Sequence, residues 1–204
     1  HYMILFIEGP RHSGKTFLIN NFLASCNDPR LEYYKFYFAN HVKNLGMVAD
    51  DQSPSLHYFS LGNIMTIMEM NQRPEYKDKI WIFDRAIVSA YTWAILRGRL
   101  SATKAELEYF SLLKSELYQN CKTLVVSVTG QTGDSARSKD TWDGAHSTQE
   151  EQSQMAHLLD IGRSWLAKSS LNNGLSIMVN QFDAASASAF NRECYQLLGI
   201  EPNK

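Results

Sequence analysis

The chain has 204 residues, 44% of them hydrophobic and 20% charged, which is the composition of a globular protein with a sizeable core. Its formal net charge of −1 excludes a global positive field of the kind that marks nucleic-acid-binding proteins, although a local basic cleft stays compatible with it. No apolar run approaches the length of about 18 residues that a membrane span needs, and no signal-peptide pattern is seen, so we expect a cytoplasmic protein without membrane contact.

The first predicted elements are a buried strand over residues 4–7 and a helix over 14–25, joined by a loop that contains glycines. The loop reads GPRHSGKT and fits the phosphate-binding pattern G-x-x-x-x-G-K-[ST]. In this pattern Lys15 reaches the β- and γ-phosphates of ATP, and Thr16 offers its hydroxyl to Mg²⁺. The alternative without a function is a glycine turn followed by a solvated lysine. The predicted ATP-binding residues are Gly9, Arg11, His12, Ser13, Gly14, Lys15, Thr16 and Phe17.

An aromatic-rich run over 33–38 predicts the second strand, and apolar residues at helical spacing over 57–70 predict the second helix. On that helix Asn63 can hydrogen-bond to the edge of a nucleobase, and Tyr58 or Phe59 can stack on its face. The aromatic pair is equally compatible with an ordinary core position, because aromatics at helical spacing usually face inward. We take these three residues as candidates for binding the acceptor.

The third predicted strand, over 80–83, ends at Asp84 and Arg85, and a helix over 87–96 follows. A carboxylate at this edge of the sheet can organise Mg²⁺ or accept a proton from an attacking hydroxyl. Arg85 can form paired hydrogen bonds with a phosphate group. The structural alternative is a helix-capping aspartate beside a surface arginine.

A helix over 103–120 and a fourth strand over 124–128 precede a polar stretch over 129–149 that has no apolar periodicity. This stretch predicts either a lid or disorder. Its basic residues, Arg137 and Lys139, would close over the phosphates and exclude water, or they are solvated charges of a loop. A helix over 150–169, a strand over 175–179 and a helix over 184–198 complete the predicted elements.

Strands separated by helices predict an α/β fold with a five-stranded parallel sheet and helices on both faces. The site would form from polar loops at the carboxyl ends of the strands. We expect one domain over 1–204, in which residues 1–2, ahead of Met3, are additions to the natural chain. The widely spaced Cys26, Cys121 and Cys194 predict buried thiols, neither a disulfide framework nor a zinc site.

The phosphate loop, followed by Asp84-Arg85 with Ser89 and Tyr91 downstream, resembles thymidylate kinase, whose equivalent segment reads DR-Y-x-x-S-x-x-A-Y/F. The match extends in order over nearly the whole chain. The resemblance implies a three-layer P-loop NTPase fold of the nucleoside-monophosphate-kinase type, with ATP and Mg²⁺ as the donor pair, and it suggests a homodimer.

The resemblance also implies roles for single residues. Asp84 lies near the metal and the acceptor, Arg85 contacts the transferring or acceptor phosphate, and Ser89 is the hydroxyl residue of the following helix. Arg97 and Arg99 flank the place where some members of the family have a further acceptor-side arginine. Arg137 corresponds to a cation of the lid.

Two segments depart from the family pattern. Residues 38–41, FANH, stand where thymidylate kinases have an Arg-Glu-Pro-Gly type stretch, and residues 58–63 lack the arginine that reads the pyrimidine. A phosphate acceptor needs several cations to offset repulsion between two anions, whereas a hydroxyl acceptor needs a base and fewer cations. The missing arginines therefore favour a hydroxyl acceptor, and the family resemblance favours a phosphate.

The first hypothesis is an ATP-dependent phosphotransferase acting on a deoxynucleoside monophosphate. Its catalytic residues are Lys15, Asp84, Arg85 and Arg137, its Mg²⁺ ligands are Thr16 and Asp84, and its acceptor-binding residues are Tyr58, Phe59, Asn63, Ser89 and Arg97. The alternative is a bacteriophage-type kinase that phosphorylates the hydroxyl of 5-hydroxymethyluracil in DNA, with Asp84 as base. A nucleotide-dependent switch or binding module is the third hypothesis.

Overall fold

The computed structural model describes residues 3–9, 15–35, 54–76, 78–96, 98–118, 120–128, 174–179 and 184–202. The polar stretch over 129–149, the predicted helix over 150–169 and residues 1–2 lie outside these ranges, so what was predicted for them stays a prediction. Within the described part of the chain, no helix is both long and apolar enough to cross a membrane.

The strands form one parallel sheet around the first strand. They are β1 (Met3–Glu8), β2 (Leu31–Lys35), β3 (Ile80–Asp84), β4 (Cys121–Val128) and β5 (Gly174–Val179). Their order across the five-stranded sheet is β2-β3-β1-β4-β5, and every neighbouring pair is parallel. The predicted α/β class and the parallel sheet are confirmed.

Strand β1 is apolar from Met3 to Ile7, as expected for a strand that is covered on both faces of the sheet. Neighbouring residues of a strand face opposite sides of the sheet, so Ile4 and Phe6 enter one buried cluster while Leu5 and Ile7 enter another. All four side chains are at most 1% exposed. A continuous apolar run of this kind is what the sequence showed at residues 4–7.

Helices cover both faces of this sheet. Those in the described part of the chain are α1 (Lys15–Ser25), α2 (Pro54–Asn71), α3 (Ile87–Leu96), α4 (Ala102–Leu113) and α5 (Ala184–Leu198). Helices α1 and α5 pack on the face that carries Leu5 and Ile7, whereas α2, α3 and α4 pack on the face that carries Ile4 and Phe6. The described residues therefore form three layers, with the sheet between two layers of helices.

The helix predicted over 103–120 is shorter than the pattern suggested. Helix α4 ends at Leu113, and a separate 3-10 turn covers Glu116–Tyr118. Ser115 interrupts the helix, since its hydroxyl donates to the Leu112 carbonyl at 2.6 Å. The break lets Tyr118 enter the core, where it is 1% exposed and its hydroxyl lies 3.0 Å from the Thr123 hydroxyl.

Strand β2 starts two residues earlier than predicted, and its described part ends at Lys35. A turn at Asp28 sets this start, because its carboxylate accepts a hydrogen bond from the Arg30 backbone N–H at 2.9 Å. The Arg30 carbonyl then accepts from the Ile80 N–H at 2.9 Å, which begins the pairing with β3. Residues 36–38 lie outside the described ranges.

The prediction that the cysteines are buried thiols is confirmed. Cys26, Cys121 and Cys194 are all buried free thiols. Burial raises the pKa of both the Cys121 and the Cys194 thiol, so that these groups stay protonated in the core.

Candidate active site

The candidate site lies where the carboxyl ends of β1 and β3 meet. Parallel pairing puts Ile7 of β1 opposite Asp84 of β3, and the buried Gly9 follows directly after β1. Helix α1 begins at Lys15, which follows the glycine-containing loop in the sequence. Polar groups that follow neighbouring parallel strands are thereby gathered at one edge of the sheet.

The Asp84 carboxylate is the centre of this arrangement. It is 5% exposed, and its Oδ2 atom accepts the Thr16 hydroxyl at 3.0 Å. The same oxygen accepts the Tyr33 hydroxyl, also at 3.0 Å. Both partners are hydroxyl groups and neither is a helix N–H, so the geometry does not support Asp84 as a helix cap. The structure brings together Thr16 and Asp84, the two predicted Mg²⁺ ligands.

Tyr33 was not among the predicted site residues. It lies on β2 opposite Ile82 of β3, two residues before Asp84, and on the same face of the sheet. Burial raises the pKa of the Tyr33 phenol, and the nearby charge of Asp84 and the hydrogen bond to it raise the pKa further. The phenol therefore stays protonated and acts as a donor. The aromatic run indicated a strand, but only strand order and register show that Tyr33 contacts Asp84.

Glu8 is a second residue that the sequence did not single out. Its side chain is fully buried and accepts the Ala86 N–H at 2.7 Å and the Ser89 N–H at 3.0 Å. It also accepts the Ser89 hydroxyl. Glu8 thus caps the N-terminus of α3 from the neighbouring strand, which is the capping role that was considered for Asp84.

Glu8 also explains the placement of Ser89, which was predicted to bind the acceptor. Ser89 is 4% exposed, and its hydroxyl is directed at the Glu8 carboxylate. Burial raises the pKa of Glu8 to about 7, although hydrogen bonds from Ser89 and Ala86 and the charge of Arg85 act to lower it.

Arg85 has an unusual backbone conformation, with φ at 66°. For a residue with a side chain, this left-handed region costs energy and persists only where the surroundings impose it. The Arg85 N–H donates to the Ile7 carbonyl at 2.9 Å, and the next N–H along the chain donates to Glu8. Two hydrogen bonds to strand β1 therefore hold the backbone of this turn, directly after Asp84.

The remaining described site residues lie near helix starts or on α2. Lys15 is the first residue of α1 and is 5% exposed, whereas the Phe17 side chain is 41% exposed. The backbone N–H groups of the first turn of a helix lack partners within the helix, so this turn can bind an anion. Asn63 is half-buried on α2.

Other predicted site residues lie outside the described residues. These are Arg11, His12, Ser13, Gly14, Arg97 and Arg137, together with the side chains of Tyr58 and Phe59 on α2. Their assignments stay predictions from the sequence.

Comparison with known proteins shows a likeness of fold. No protein-family model matches the chain, and no curated protein matches its sequence. Thymidylate kinase from Ehrlichia chaffeensis is 16% identical with a TM-score of 0.59, and the match covers 97% of this chain and 98% of that one. Thymidylate kinase from Candida albicans is 15% identical with a TM-score of 0.62, over 95% of this chain and 91% of that one. The chain has a thymidylate-kinase-like fold.

A third solved structure extends this likeness beyond thymidylate kinases. The NadR protein in complex with NR is 14% identical with a TM-score of 0.65, and the match covers all of this chain. This chain spans about half of the NadR protein, 53% of its length. At such identities the likeness concerns the fold alone, and the thymidylate-kinase-like fold is what the sequence resemblance implied.

In this thymidylate-kinase-like fold, the donor atoms around Asp84 suit Mg²⁺. The Thr16 hydroxyl and the Asp84 carboxylate are hard oxygen ligands held 3.0 Å apart at the sheet edge. Mg²⁺ binds by preference through one or two such protein oxygens, and water and phosphate complete its coordination. The residues present therefore fit the predicted cation.

Proposed function

We propose that the protein is an ATP-dependent phosphotransferase that transfers the γ-phosphate to a deoxynucleoside monophosphate. The hydrogen bond between Thr16 and Asp84 carries the proposal, because it joins the start of the helix after the phosphate loop to the end of β3. Arg85 is held next to this pair by the left-handed turn. The thymidylate-kinase-like fold supports the same conclusion.

The proposal gives each candidate site residue a role. Lys15 and Arg85 would stabilise negative charge on the transferring phosphoryl group. Thr16 and Asp84 would hold Mg²⁺, which when bound neutralises charge on the phosphates. Arg137 of the predicted lid would add a further positive charge and exclude water.

A feature of α2 favours a second candidate function. Over Pro54–Asn71 this helix contains no lysine and no arginine, so it brings no permanent positive charge to an acceptor phosphate. A hydroxyl acceptor does not need such charges, but it does need a base. The second candidate is therefore a kinase for the hydroxyl of 5-hydroxymethyluracil in DNA, with Asp84 as that base.

Transfer of radiolabelled γ-phosphate from ATP tests both candidates. The acceptor panel contains deoxynucleoside monophosphates, deoxynucleosides, and DNA with and without hydroxymethylated bases. We expect label on a monophosphate, and label on hydroxymethylated DNA alone would select the second candidate. Hydrolysis of ATP without labelling of any acceptor would contradict both.

A further inference from the structure

The inference starts from the two hydroxyl groups that share one oxygen of Asp84. Thr16 and Tyr33 both donate to Oδ2, each at 3.0 Å. The other oxygen, Oδ1, accepts no hydrogen bond from the described residues. One donor lies on a helix and the other on a strand, and together they restrict rotation of the carboxylate more than either donor alone.

The two donors belong to different parts of the fold. Thr16 lies in the first turn of α1, directly after the phosphate loop, and its oxygen is itself a predicted Mg²⁺ ligand. Tyr33 belongs to β2, and its ring packs against the buried cluster between the sheet and helices α1 and α5.

We propose that Tyr33 is a positioning residue that orients the Asp84 carboxylate so that Asp84 can hold the cation bound with the nucleotide. The proposal rests on the proposed function, in which Thr16 and Asp84 hold Mg²⁺. Tyr33 acts through Asp84 and does not itself touch the nucleotide. Residues that orient a metal ligand typically contribute about 10- to 100-fold to metal affinity.

The chain provides a matched control at the next residue. Tyr34 has the same side chain on the same strand but faces the other side of the sheet. Its ring lies 5.0 Å from the Phe83 ring, centroid to centroid, in the cluster that α2, α3 and α4 cover. Tyr33→Phe and Tyr34→Phe each remove one hydroxyl oxygen, but only the first removes a donor to Asp84.

The experiment measures ATP binding by titration calorimetry on the full chain, once with saturating Mg²⁺ and once with EDTA. The ratio of the two affinities is the enhancement by Mg²⁺. We expect Tyr33→Phe to lower this ratio by about 10-fold and to leave affinity in EDTA unchanged. Tyr34→Phe should keep the ratio of the unmodified protein. Circular dichroism confirms that each variant is folded.

A double-mutant cycle with Asp84→Asn tests whether Tyr33 acts through Asp84. Asp84→Asn should itself lower the enhancement, and adding Tyr33→Phe should lower it no further. An unchanged ratio in Tyr33→Phe would overturn the proposal. An equal loss of ATP affinity in EDTA would also overturn it. The same holds if Tyr33→Phe lowers the enhancement in the Asp84→Asn background as much as it does in the unmodified protein.

The outcome for Tyr33 is separable from the outcome for the proposed function. If Mg²⁺ enhances ATP binding but no acceptor is labelled, the proposed function fails and the Tyr33 comparison still stands. If ATP binding by the unmodified protein does not respond to Mg²⁺, Asp84 has no cation to hold and the proposal for Tyr33 is overturned.

Discussion

The side chain of Glu8 is completely buried in the folded protein. Its burial raises the pKa from an ordinary 4.5 to about 7, so the folded chain binds this proton more tightly than the unfolded chain. Stability contributed by the protonated form is fully present below pH 4.5 and is lost as pH rises through about 7. The shift corresponds to on the order of 3 kcal/mol.

We therefore expect the free energy of unfolding to fall between about pH 5 and pH 8 by an amount of that order. Urea denaturation over a pH series measures this fall. Glu8→Gln should flatten the profile, because the amide does not titrate. Glu75→Gln, at an exposed glutamate on a surface turn, is the control and should keep the profile of the unmodified protein. An unchanged slope in Glu8→Gln would contradict the assignment.

In the proposed function, transfer from ATP depends most directly on Lys15. It is the first residue of α1, and its charge adds to the anion-binding N-terminus of that helix. We expect Lys15→Ala to lower phosphoryl transfer by about 100-fold or more, because it removes a charge that stabilises the transferring group. Lys104→Ala, at an exposed lysine on α4, should leave transfer unchanged. Normal transfer by folded Lys15→Ala would refute the role.

At the level of elements, the backbone N–H groups at each helix start need hydrogen-bond acceptors that the helix itself does not supply. Helix α4 obtains its cap locally, since the Ser101 hydroxyl accepts the Lys104 N–H at 3.1 Å. Helix α3 obtains its cap from Glu8 on another strand. A local cap can be read from spacing along the chain, whereas a cap from a distant strand cannot.

The local cap of α4 leads to a prediction for stability. Ser101→Ala should lower the free energy of unfolding by about 1 kcal/mol, because the Lys104 N–H loses its acceptor. Urea denaturation measures the difference. Ser111→Ala changes an exposed serine within the same helix and should not destabilise the protein, since alanine has the higher helix propensity. Equal stability of Ser101→Ala and the unmodified protein would contradict the cap.

At the scale of the whole molecule, the central strand β1 joins the two layers of helices. Phe6 of β1 packs edge-on against Phe83 at 5.3 Å and lies 5.9 Å from Tyr118, measured between ring centroids. It is 1% exposed. This one side chain thus contacts both β3 and the 3-10 turn that follows α4. Its removal would therefore weaken the packing of both elements.

We expect Phe6→Ala to lower the free energy of unfolding by about 3–5 kcal/mol, because it removes buried apolar surface and leaves a cavity. Leu107→Ala is the comparison. Leu107 lies on α4 with 66% of its surface exposed, and its replacement should change stability by less than about 0.5 kcal/mol. Thermal and urea unfolding of both variants test the contrast, and a similar loss in the two variants would contradict it.

Much of the fold was predictable because its signals are local. The apolar runs that became β1 and β3 and the periodic segments that became α3 and α5 lie where the pattern indicated. The end of α4 was not predictable, because the break at Ser115 serves the burial of Tyr118 beside Thr123. The helix propensities of the residues along the chain contain no information about that contact.

The sequence alone determined the phosphate-binding pattern after the first strand and a carboxylate at the end of a buried strand, since each is a pattern of neighbouring residues. Only the tertiary structure decided that Tyr33 donates to Asp84, 51 positions away, and that Glu8 accepts from Ser89, 81 positions away. The physical reason is that such pairs depend on strand order and register. These are properties of the assembled sheet, and no local stretch of residues specifies them.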